Sequence, residues 1–237
     1  MKTPWPTKDA MTQIYDMHLW GGKAFDFYSG EGSHDSEIVK PYLDAVIDFL
    51  SSHDNSLSVC DLGCGDFNIG KKLTEYTSRY IAVDIVDSLI ERNKTLFQDD
   101  HLEFHCLDIA KDELPKADCI ILRQILQHLS NAEIRDIVKK LTGYKYVILT
   151  EHIPLGKFIP NKDIISGQGI RLKHHSGVDL LEAPFNLKIE KEKVLNDAIL
   201  SKNKGRIQTV LYEVIPQSDT KQSQRNTKLD ALKKSAN

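Results

Sequence analysis

Apolar residues recur at helical spacing in two N-terminal segments, residues 7–20 and 36–50, and this pattern predicts two helices. From residue 57 onward, short apolar runs alternate with amphipathic stretches, as in chains that build a parallel sheet from successive strand and helix units. The alternation predicts strands at 57–61, 80–84, 102–106, 118–122 and 145–150, and helices near 68–77, 87–97 and 131–141.

Two more strand-like runs, at about 187–195 and 206–215, are separated by the polar segment 201–205 and therefore predict an antiparallel pair. The predicted fold class is α/β. We expect a Rossmann-like sheet of seven strands that is mostly parallel, with an antiparallel C-terminal hairpin and an N-terminal helical cap.

Composition narrows the classes of partner. The formal net charge of −3 offers no basic surplus for a phosphate backbone, so we expect no nucleic-acid partner. No run approaches the ~18 apolar residues of a membrane span, and no apolar leader segment is evident. We therefore expect a cytoplasmic protein with no membrane partner. The four cysteines lie in or beside apolar runs without a paired metal-ligand spacing, so we expect free thiols and no metal site.

The first predicted strand runs into Gly63, Cys64 and Gly65, which let the backbone turn sharply and approach a ligand closely. Asp61 and Asp66 bring carboxylates to this loop, where they would repel the pyrophosphate of a dinucleotide. S-adenosylmethionine carries an ammonium and a sulfonium and no phosphate. The electrostatics therefore favour this cofactor over a nicotinamide dinucleotide.

Two further aspartates follow the next strands. Asp84 ends the second strand, where a carboxylate can accept hydrogen bonds from ribose hydroxyls. Asp108 follows the third strand, in position to receive the adenine amino group while Ile85 and Ile109 flank the ring. A single aspartate at such a point is as well explained as a helix cap or a loop carboxylate. Asp61, Asp84 and Asp108 would all lie at one edge of the sheet, and three such carboxylates together favour a nucleoside site.

The segments that carry this pattern resemble the successive motifs of class I S-adenosylmethionine-dependent methyltransferases, and the resemblance covers roughly residues 57–150. They are Asp61 to Gly65, Asp84, Asp108 and Arg123 to Leu129. The resemblance implies methyl transfer with S-adenosylhomocysteine as the product. It also implies that Gln124 lies near the cofactor and that His128 faces the acceptor.

A weaker resemblance concerns the outer parts of the chain. Residues 28–33 and 176–185 are similar to small methyltransferases of bacterial surface-polysaccharide (capsule) gene clusters, which implies a role in capsule biosynthesis. In the glycine-punctuated segment 27–34 we expect a lid, with Tyr28 at the cofactor and His34 at the acceptor.

Candidate catalytic residues follow the fourth and fifth strands: His128, Glu151 and His152. A histidine or carboxylate there could remove a proton from a hydroxyl acceptor, whereas an amine would need only to bind in its neutral form. For His128 and His152 a structural role satisfied by the backbone is an equal alternative. Glu151 is favoured for binding a cationic or hydroxyl-rich acceptor.

The long segment after the fifth strand carries Arg171, His174 and His175, which we predict to bind the acceptor. These groups would suit an anionic acceptor, such as a phosphorylated or nucleotide-linked one, and a solvated basic loop is the alternative. The predicted function is methylation of an oxygen or nitrogen of a small polar molecule. The alternatives are a non-catalytic S-adenosylmethionine-binding regulator or scaffold and, less favoured, a nicotinamide dehydrogenase.

These assignments divide the chain. We expect residues 1–216 to form a single methyltransferase domain, and residues 217–237, which have scarcely any apolar content, to be a disordered tail. Within the domain we predict N-terminal helices and a lid (1–54), a cofactor-binding core (55–150), a substrate-loop insertion (151–186) and a terminal hairpin (187–216). The sequence leaves the oligomeric state open.

Overall fold

The computed structural model describes residues 4–201 and 204–215. Its helices, in chain order, are α1 (Thr7–Asp16), α2 (Glu31–His34), α3 (Ser36–Ser51), α4 (Asp87–Leu96) and α5 (Asn131–Leu141). Its strands are β1 (Ser58–Leu62), β2 (Arg79–Asp84), β3 (Leu102–Cys106), β4 (Cys119–Arg123), β5 (Tyr146–Ile153), β6 (Ile189–Ile199) and β7 (Arg206–Val214). Each predicted strand is present, with bounds that differ by a few residues at most.

The seven strands form one sheet in the order β3-β2-β1-β4-β5-β7-β6. Strands β1 to β5 pair in parallel, and β7 runs antiparallel to both β5 and β6. The predicted fold class is therefore confirmed. The division into one domain stays a prediction, and the predicted tail at 217–237 and the middle of the 201–205 turn lie outside the described residues. In the part of the chain that the structure describes, none of the helices is both long and apolar enough to cross a membrane.

Side chains of β1 alternate between the two faces of the sheet, and each face has its own apolar core. Cys60 and Leu62 pack on the face that is covered by α5. Val59 packs on the opposite face, against α3. Because successive side chains of a strand point to opposite faces, Asp61 belongs to the α3 side. This alternation decides which carboxylates can reach a ligand at the edge of the sheet.

Two predicted helices differ from the structure. The segment 68–77 contains two short 3₁₀ turns, Gly70–Lys72 and Thr74–Tyr76, in place of an α-helix. Gly70 lies so close to the ring of Phe67 that an added Cβ would be 2.3 Å from it, and glycine and threonine are poor helix formers. Helix α1 ends at Asp16 instead of near residue 20, and His18 follows with a positive φ of 48°.

The insertion after β5 is an irregular loop with one 3₁₀ turn, Arg171–His174. Arg171 is only 1% exposed. Its guanidinium donates hydrogen bonds to the carbonyl oxygens of Lys162, Leu126 and Leu129 at 3.0, 2.8 and 2.7 Å, and to Oδ1 of Asn131 at 2.7 Å. The predicted acceptor-binding role of Arg171 is therefore corrected, because its donors fasten the insertion to the segment after β4.

We predict that Arg171→Ala destabilises the fold by about 3 kcal/mol, because buried carbonyl groups lose a charged donor and stay desolvated. Urea unfolding monitored by circular dichroism measures the change. The matched control is Lys173→Ala, two residues away on an exposed side chain, which should change stability by less than about 0.5 kcal/mol. Equal effects of the two substitutions would contradict this role.

Candidate cofactor and acceptor site

A cavity of about 560 Å³ opens at the carboxyl ends of the parallel strands, within the ~300–1,000 Å³ usual for small-molecule sites. Part of its wall comes from residues that follow β1, β2, β3 and β4. This part brings together seven of the predicted cofactor residues: Gly63, Gly65, Asp84, Ile85, Asp108, Ile109 and Gln124. They converge because the carboxyl ends of parallel strands share one edge of the sheet.

The glycine loop after β1 is held by Asp84. Its Oδ2 accepts a hydrogen bond from the Gly65 amide at 3.1 Å, and its Oδ1 accepts one from the Val86 amide at 3.1 Å. Gly63 and Gly65 have positive φ values of 81° and 55°, which side chains rarely tolerate. Burial raises the pKa of Asp84, while these backbone donors act against that rise. Asp84 thus supports the loop and also presents an acceptor at the cavity wall.

Asp108 lies next to this group of residues. Its Oδ1 accepts from the Ala110 amide at 3.1 Å, and its Oδ2 pairs with Lys111 Nζ at 2.7 Å. Ile85 and Ile109 are partly buried against the core and add apolar surface to the wall. Carboxylate acceptors beside apolar flanks suit a nucleoside, which has polar hydroxyl and amino groups around a planar ring.

Gln124 adds a donor. Its backbone is in the left-handed region at a φ of 57°, and its amide donates to the Thr150 carbonyl at 2.7 Å. Its side-chain Nε2 is buried and has no hydrogen-bond partner among the described residues. Because a buried amide nitrogen without an acceptor is unfavourable, a polar ligand in the cavity would satisfy it.

Asp61 lies outside the cavity wall, so the structure does not bring it together with the other predicted cofactor residues, and its predicted role stays a prediction. Its Oδ2 accepts a hydrogen bond from the Tyr80 hydroxyl at 2.9 Å, on the face of the sheet covered by α3. Burial raises the pKa of Asp61 to about 7. The loop carboxylates therefore contribute less to the charge of the cavity than the sequence suggested, and Asp84 and Asp108 contribute more.

The N-terminal lid rests directly on the glycine loop. The Ser29 amide donates to Oδ2 of Asp66 at 3.0 Å, and the Asp66 amide donates back to the Ser29 hydroxyl at 2.8 Å. His34 Nε2 lies 2.6 Å from the same Oδ2, and the ring of Tyr28 stacks on His34 at 4.4 Å. Tyr28 and His34 do not line the cavity and instead hold the lid on the loop, so their contacts with the cofactor and the acceptor stay predictions.

Arg123 and Gly65 complete this attachment. The Arg123 guanidinium donates to the Gly32 carbonyl and to the Ser33 hydroxyl, and it lies 4.7 Å from the centre of the Tyr42 ring. A Cβ on Gly65 would lie 2.3 Å from the Ser29 hydroxyl, so only glycine allows the lid to come this close. The lid and the glycine loop form one wall.

The rest of the cavity wall comes from the N-terminal segment, from the turn after β4 and from the insertion. Several of its members carry no site prediction from the sequence: Thr7, Met11, Tyr15, Gln168 and Ile170. Lys173, also in the wall, belongs to the basic stretch around Arg171 that indicated an anionic acceptor, and Trp20 belongs to the glycine-punctuated region predicted as a lid or acceptor wall. The amphipathic pattern of α1 and the tryptophan beside two glycines were available signals for the N-terminal members. Gln168 and Ile170 had none beyond their place in a long loop.

His128 does line this cavity, and it is a neutral side chain. Burial lowers its pKa to about 4. Its Nδ1 lies 3.1 Å from the Gly167 carbonyl, and its Nε2 lies 3.3 Å from the amide nitrogen of Gln127. A carbonyl can only accept and an amide nitrogen can only donate, so the proton is on Nδ1 and the lone pair of Nε2 faces Gln127.

Of the remaining residues predicted to act on or bind the acceptor, the structure places His152 at the main cavity and the others outside it. His152 lines the cavity, and its Nε2 lies 2.6 Å from the Lys204 carbonyl. Glu151 does not line it: its Oε1 accepts from the Leu126 amide at 3.0 Å on the other side of β5. His174 and His175 are exposed and outside the wall, and His175 Nε2 lies 3.2 Å from the Lys157 carbonyl. The structure thus places His174, His175 and Glu151 apart from the main cavity, and their predicted roles at the acceptor stay untested predictions.

Comparison with known proteins agrees with this geometry. Residues 60–144 match the family model described as a methyltransferase domain. A curated relative, malonyl-[acyl-carrier protein] O-methyltransferase of Acetivibrio thermocellus, is 30% identical over 120 residues. That match covers 48% of this chain and 40% of the relative, so the chain spans less than half of its length.

Solved structures share the fold at low sequence identity. N-methyltransferase NodS from Bradyrhizobium japonicum WM9, in complex with S-adenosylhomocysteine, has a TM-score of 0.61 at 12% identity and covers 86% of this chain and 99% of its own. Magnesium protoporphyrin IX methyltransferase from Synechocystis PCC 6803, with bound S-adenosylmethionine, has a TM-score of 0.56 at 16% identity, covering 90% and 99%. The predicted cofactor, S-adenosylmethionine, is confirmed.

We predict that Asp84→Ala weakens S-adenosylhomocysteine binding by about tenfold or more, because the glycine loop loses its support and the cavity loses an acceptor. Isothermal titration calorimetry measures the affinity. The control is Asp87→Ala, which removes an exposed carboxylate that pairs with Lys8 outside the cavity. Unchanged affinity in Asp84→Ala would show that the cofactor lies elsewhere.

Proposed function

We propose that this chain, in which residues 60–144 match a methyltransferase domain, transfers a methyl group from S-adenosylmethionine to an oxygen or nitrogen of a small polar acceptor. The observation that carries the proposal is the continuity of the cavity. One part of its wall has the glycine loop, Asp84 and Asp108, and another part has Trp20, His128 and Lys173. A cofactor and an acceptor can therefore meet in a single enclosed space.

Asp84 and Asp108 would accept hydrogen bonds from the nucleoside, and Gln124 would donate one to it. The bound cofactor supplies a methyl carbon that is already activated by the sulfonium. The chain must then align the acceptor lone pair and exclude water. The lid attachment through Ser29 and Asp66 supports this second task, since it closes the wall beside the glycine loop.

The surroundings of His128 favour an acceptor that needs no proton removed. A pKa of about 4 makes His128 a weak base, and the lone pair on its Nε2 already accepts a hydrogen bond from Gln127. Both ring nitrogens are engaged, Nδ1 with Gly167 and Nε2 with Gln127, so His128 would position the acceptor by packing against it. An anionic oxygen or a neutral amine suits such a site, because either brings its lone pair ready for transfer.

Of these two kinds of acceptor, an anionic oxygen and a neutral amine, Lys173 favours the anionic one. It lines the cavity, and it is in no ion pair among the residues that the structure describes. Its ammonium could pair with a carboxylate, a phosphate or a nucleotide-linked group. A role in capsule biosynthesis remains a proposal supported only by the sequence resemblance of residues 28–33 and 176–185, and a cytoplasmic location stays a prediction.

The surroundings of His128 and Glu151 also favour a second candidate, a non-catalytic regulator or scaffold that binds S-adenosylmethionine. His128 is buried at 9% exposure and satisfied by the backbone, and Glu151 lies outside the cavity. Such a protein would bind the cofactor but would not consume it.

The test is release of S-adenosylhomocysteine from S-adenosylmethionine in the presence of a panel of small carboxylates, phosphate esters, amines and alcohols. We expect turnover with at least one acceptor, and a loss of rate in His128→Ala that leaves cofactor affinity unchanged. Cofactor binding without turnover of any acceptor would favour the regulator.

For an anionic acceptor whose charged group is not the accepting atom, we predict that Lys173→Gln raises KM by about tenfold and leaves kcat nearly unchanged, because an ion pair to a group that does not react is the same in the ground and transition states. Steady-state kinetics separate the two parameters. Lys188→Gln, an exposed lysine outside the cavity, is the control. A fall in kcat at constant KM would instead assign Lys173 to the transfer step.

A further inference from the structure

A second cavity, of about 230 Å³, lies between the terminal hairpin and the insertion. It shares no wall residue with the main cavity. The separation follows from the alternation of side chains along β5, which directs Glu151 and Ile153 to this cavity and His152 to the main one. Nothing in the proposed transfer uses the second cavity.

Glu151 has an unsatisfied oxygen here. The residue is 3% exposed, its Oε1 accepts from the Leu126 amide, and its Oε2 has no hydrogen-bond partner within residues 4–201 and 204–215. A buried carboxyl oxygen without a partner costs free energy in either protonation state. A ligand with a hydrogen-bond donor or a positive charge would remove that cost.

The charge on the cavity wall is predominantly negative. Glu151, Asp179 and Glu192 all line it. Burial raises the pKa of the Tyr212 hydroxyl, and the negative charges of these three residues raise that pKa further. Arg206 is the cation of the wall, and it is paired with Asp197 at 3.2 Å.

A bound cation would also act on the protonation of Glu151. Burial raises the pKa of Glu151 to about 8, and the nearby positive charge of Arg171 only partly opposes that rise. The guanidinium of Arg171 is already hydrogen-bonded to backbone carbonyls. A cation in this cavity would lower the pKa and favour the carboxylate.

The rest of the wall favours an organic cation over a metal ion. Phe158 and Tyr212 supply aromatic surface, and Leu149, Val178 and Val210 supply aliphatic surface. In the described part of the chain no three histidine, cysteine, aspartate or glutamate side chains are grouped so that they could hold a metal. Carboxylates beside aromatic faces are the surroundings that bind alkylated ammonium groups.

We propose that the cavity formed by Glu151, Asp179, Glu192, Phe158 and Tyr212 binds a small organic ammonium ion at a site separate from the methyl-transfer cavity. Its alkyl groups would lie against the aromatic and aliphatic wall. Its positive charge would be balanced by the three carboxylates, including the unpartnered oxygen of Glu151.

The test is calorimetric titration of the full chain with choline chloride as the quaternary ammonium probe, at constant ionic strength. Its uncharged counterpart of the same shape, 3,3-dimethylbutan-1-ol, tests whether charge matters. We expect saturable binding of choline and binding of the alcohol that is about tenfold weaker or absent. Glu151→Gln and Glu192→Gln should each weaken choline binding by a similar factor.

Glu190→Gln is the matched control, because Glu190 is an exposed carboxylate on the same strand as Glu192 but outside the cavity. S-adenosylhomocysteine binding is measured in parallel, so that loss of the fold or of the main site is seen independently. If Glu151→Gln does not fold, the exposed Glu192→Gln carries the test. No choline binding, equal binding of the alcohol, or equal effects of Glu190→Gln and Glu192→Gln would overturn the proposal.

Discussion

Backbone hydrogen bonds that Asp84 and Asp66 accept fix the glycine loop, and with it the form of the main cavity. Asp84 reaches across from β2 to the Gly65 amide, and Asp66 ties the same loop to Ser29 of the lid. Neither contact would survive a side chain at Gly65, where the backbone conformation and the close lid both require glycine. The cofactor wall and the lid are therefore positioned by a single loop.

The two buried arginines extend this principle to the segments around the cavity. Arg123 donates to the lid, and Arg171 donates to the carbonyls that follow β4. Both are thus used to join segments around the cavity through backbone carbonyl groups. A segment can cover a site only if its buried carbonyl and amide groups have hydrogen-bond partners. The guanidinium groups of these two arginines therefore stabilise the fold, and the donors used in this way are not available to a ligand.

The strands could be predicted from the sequence because they follow from local rules, and the same rules identified residues that the structure places in the cavity wall. Asp84 and Asp108 were identified from their positions at strand ends, and parallel strands bring such ends to one edge. Asp61 is outside that wall for an equally simple reason: it lies within β1, on the face opposite to Leu62. Its neighbour Tyr80, 19 residues later, could not be inferred without the register of β1 and β2.

The acceptor side was poorly predicted, since its members come from three distant segments. Nothing local distinguishes the buried Arg171 from the exposed Lys173, two residues away in the same basic stretch. Tyr28 and His34 belong to a chemically suggestive loop, but their partners are each other and Asp66. The residue types indicated that this loop has a specific role, but they could not indicate which residues it would contact.

The placement of titratable groups has a consequence for the chemistry. On β5, neighbouring residues Glu151 and His152 face different cavities, so the only acid among the candidate catalytic residues is separated from the acceptor. His128 stays in the acceptor wall but is held neutral by burial and fixed in one tautomer by Gly167 and Gln127. His128 therefore contributes to the shape of the wall and has little capacity to take up a proton. For the proposed transfer, an acceptor that arrives with its lone pair free needs no proton removed by His128, and this favours anionic oxygens and neutral amines over neutral alcohols.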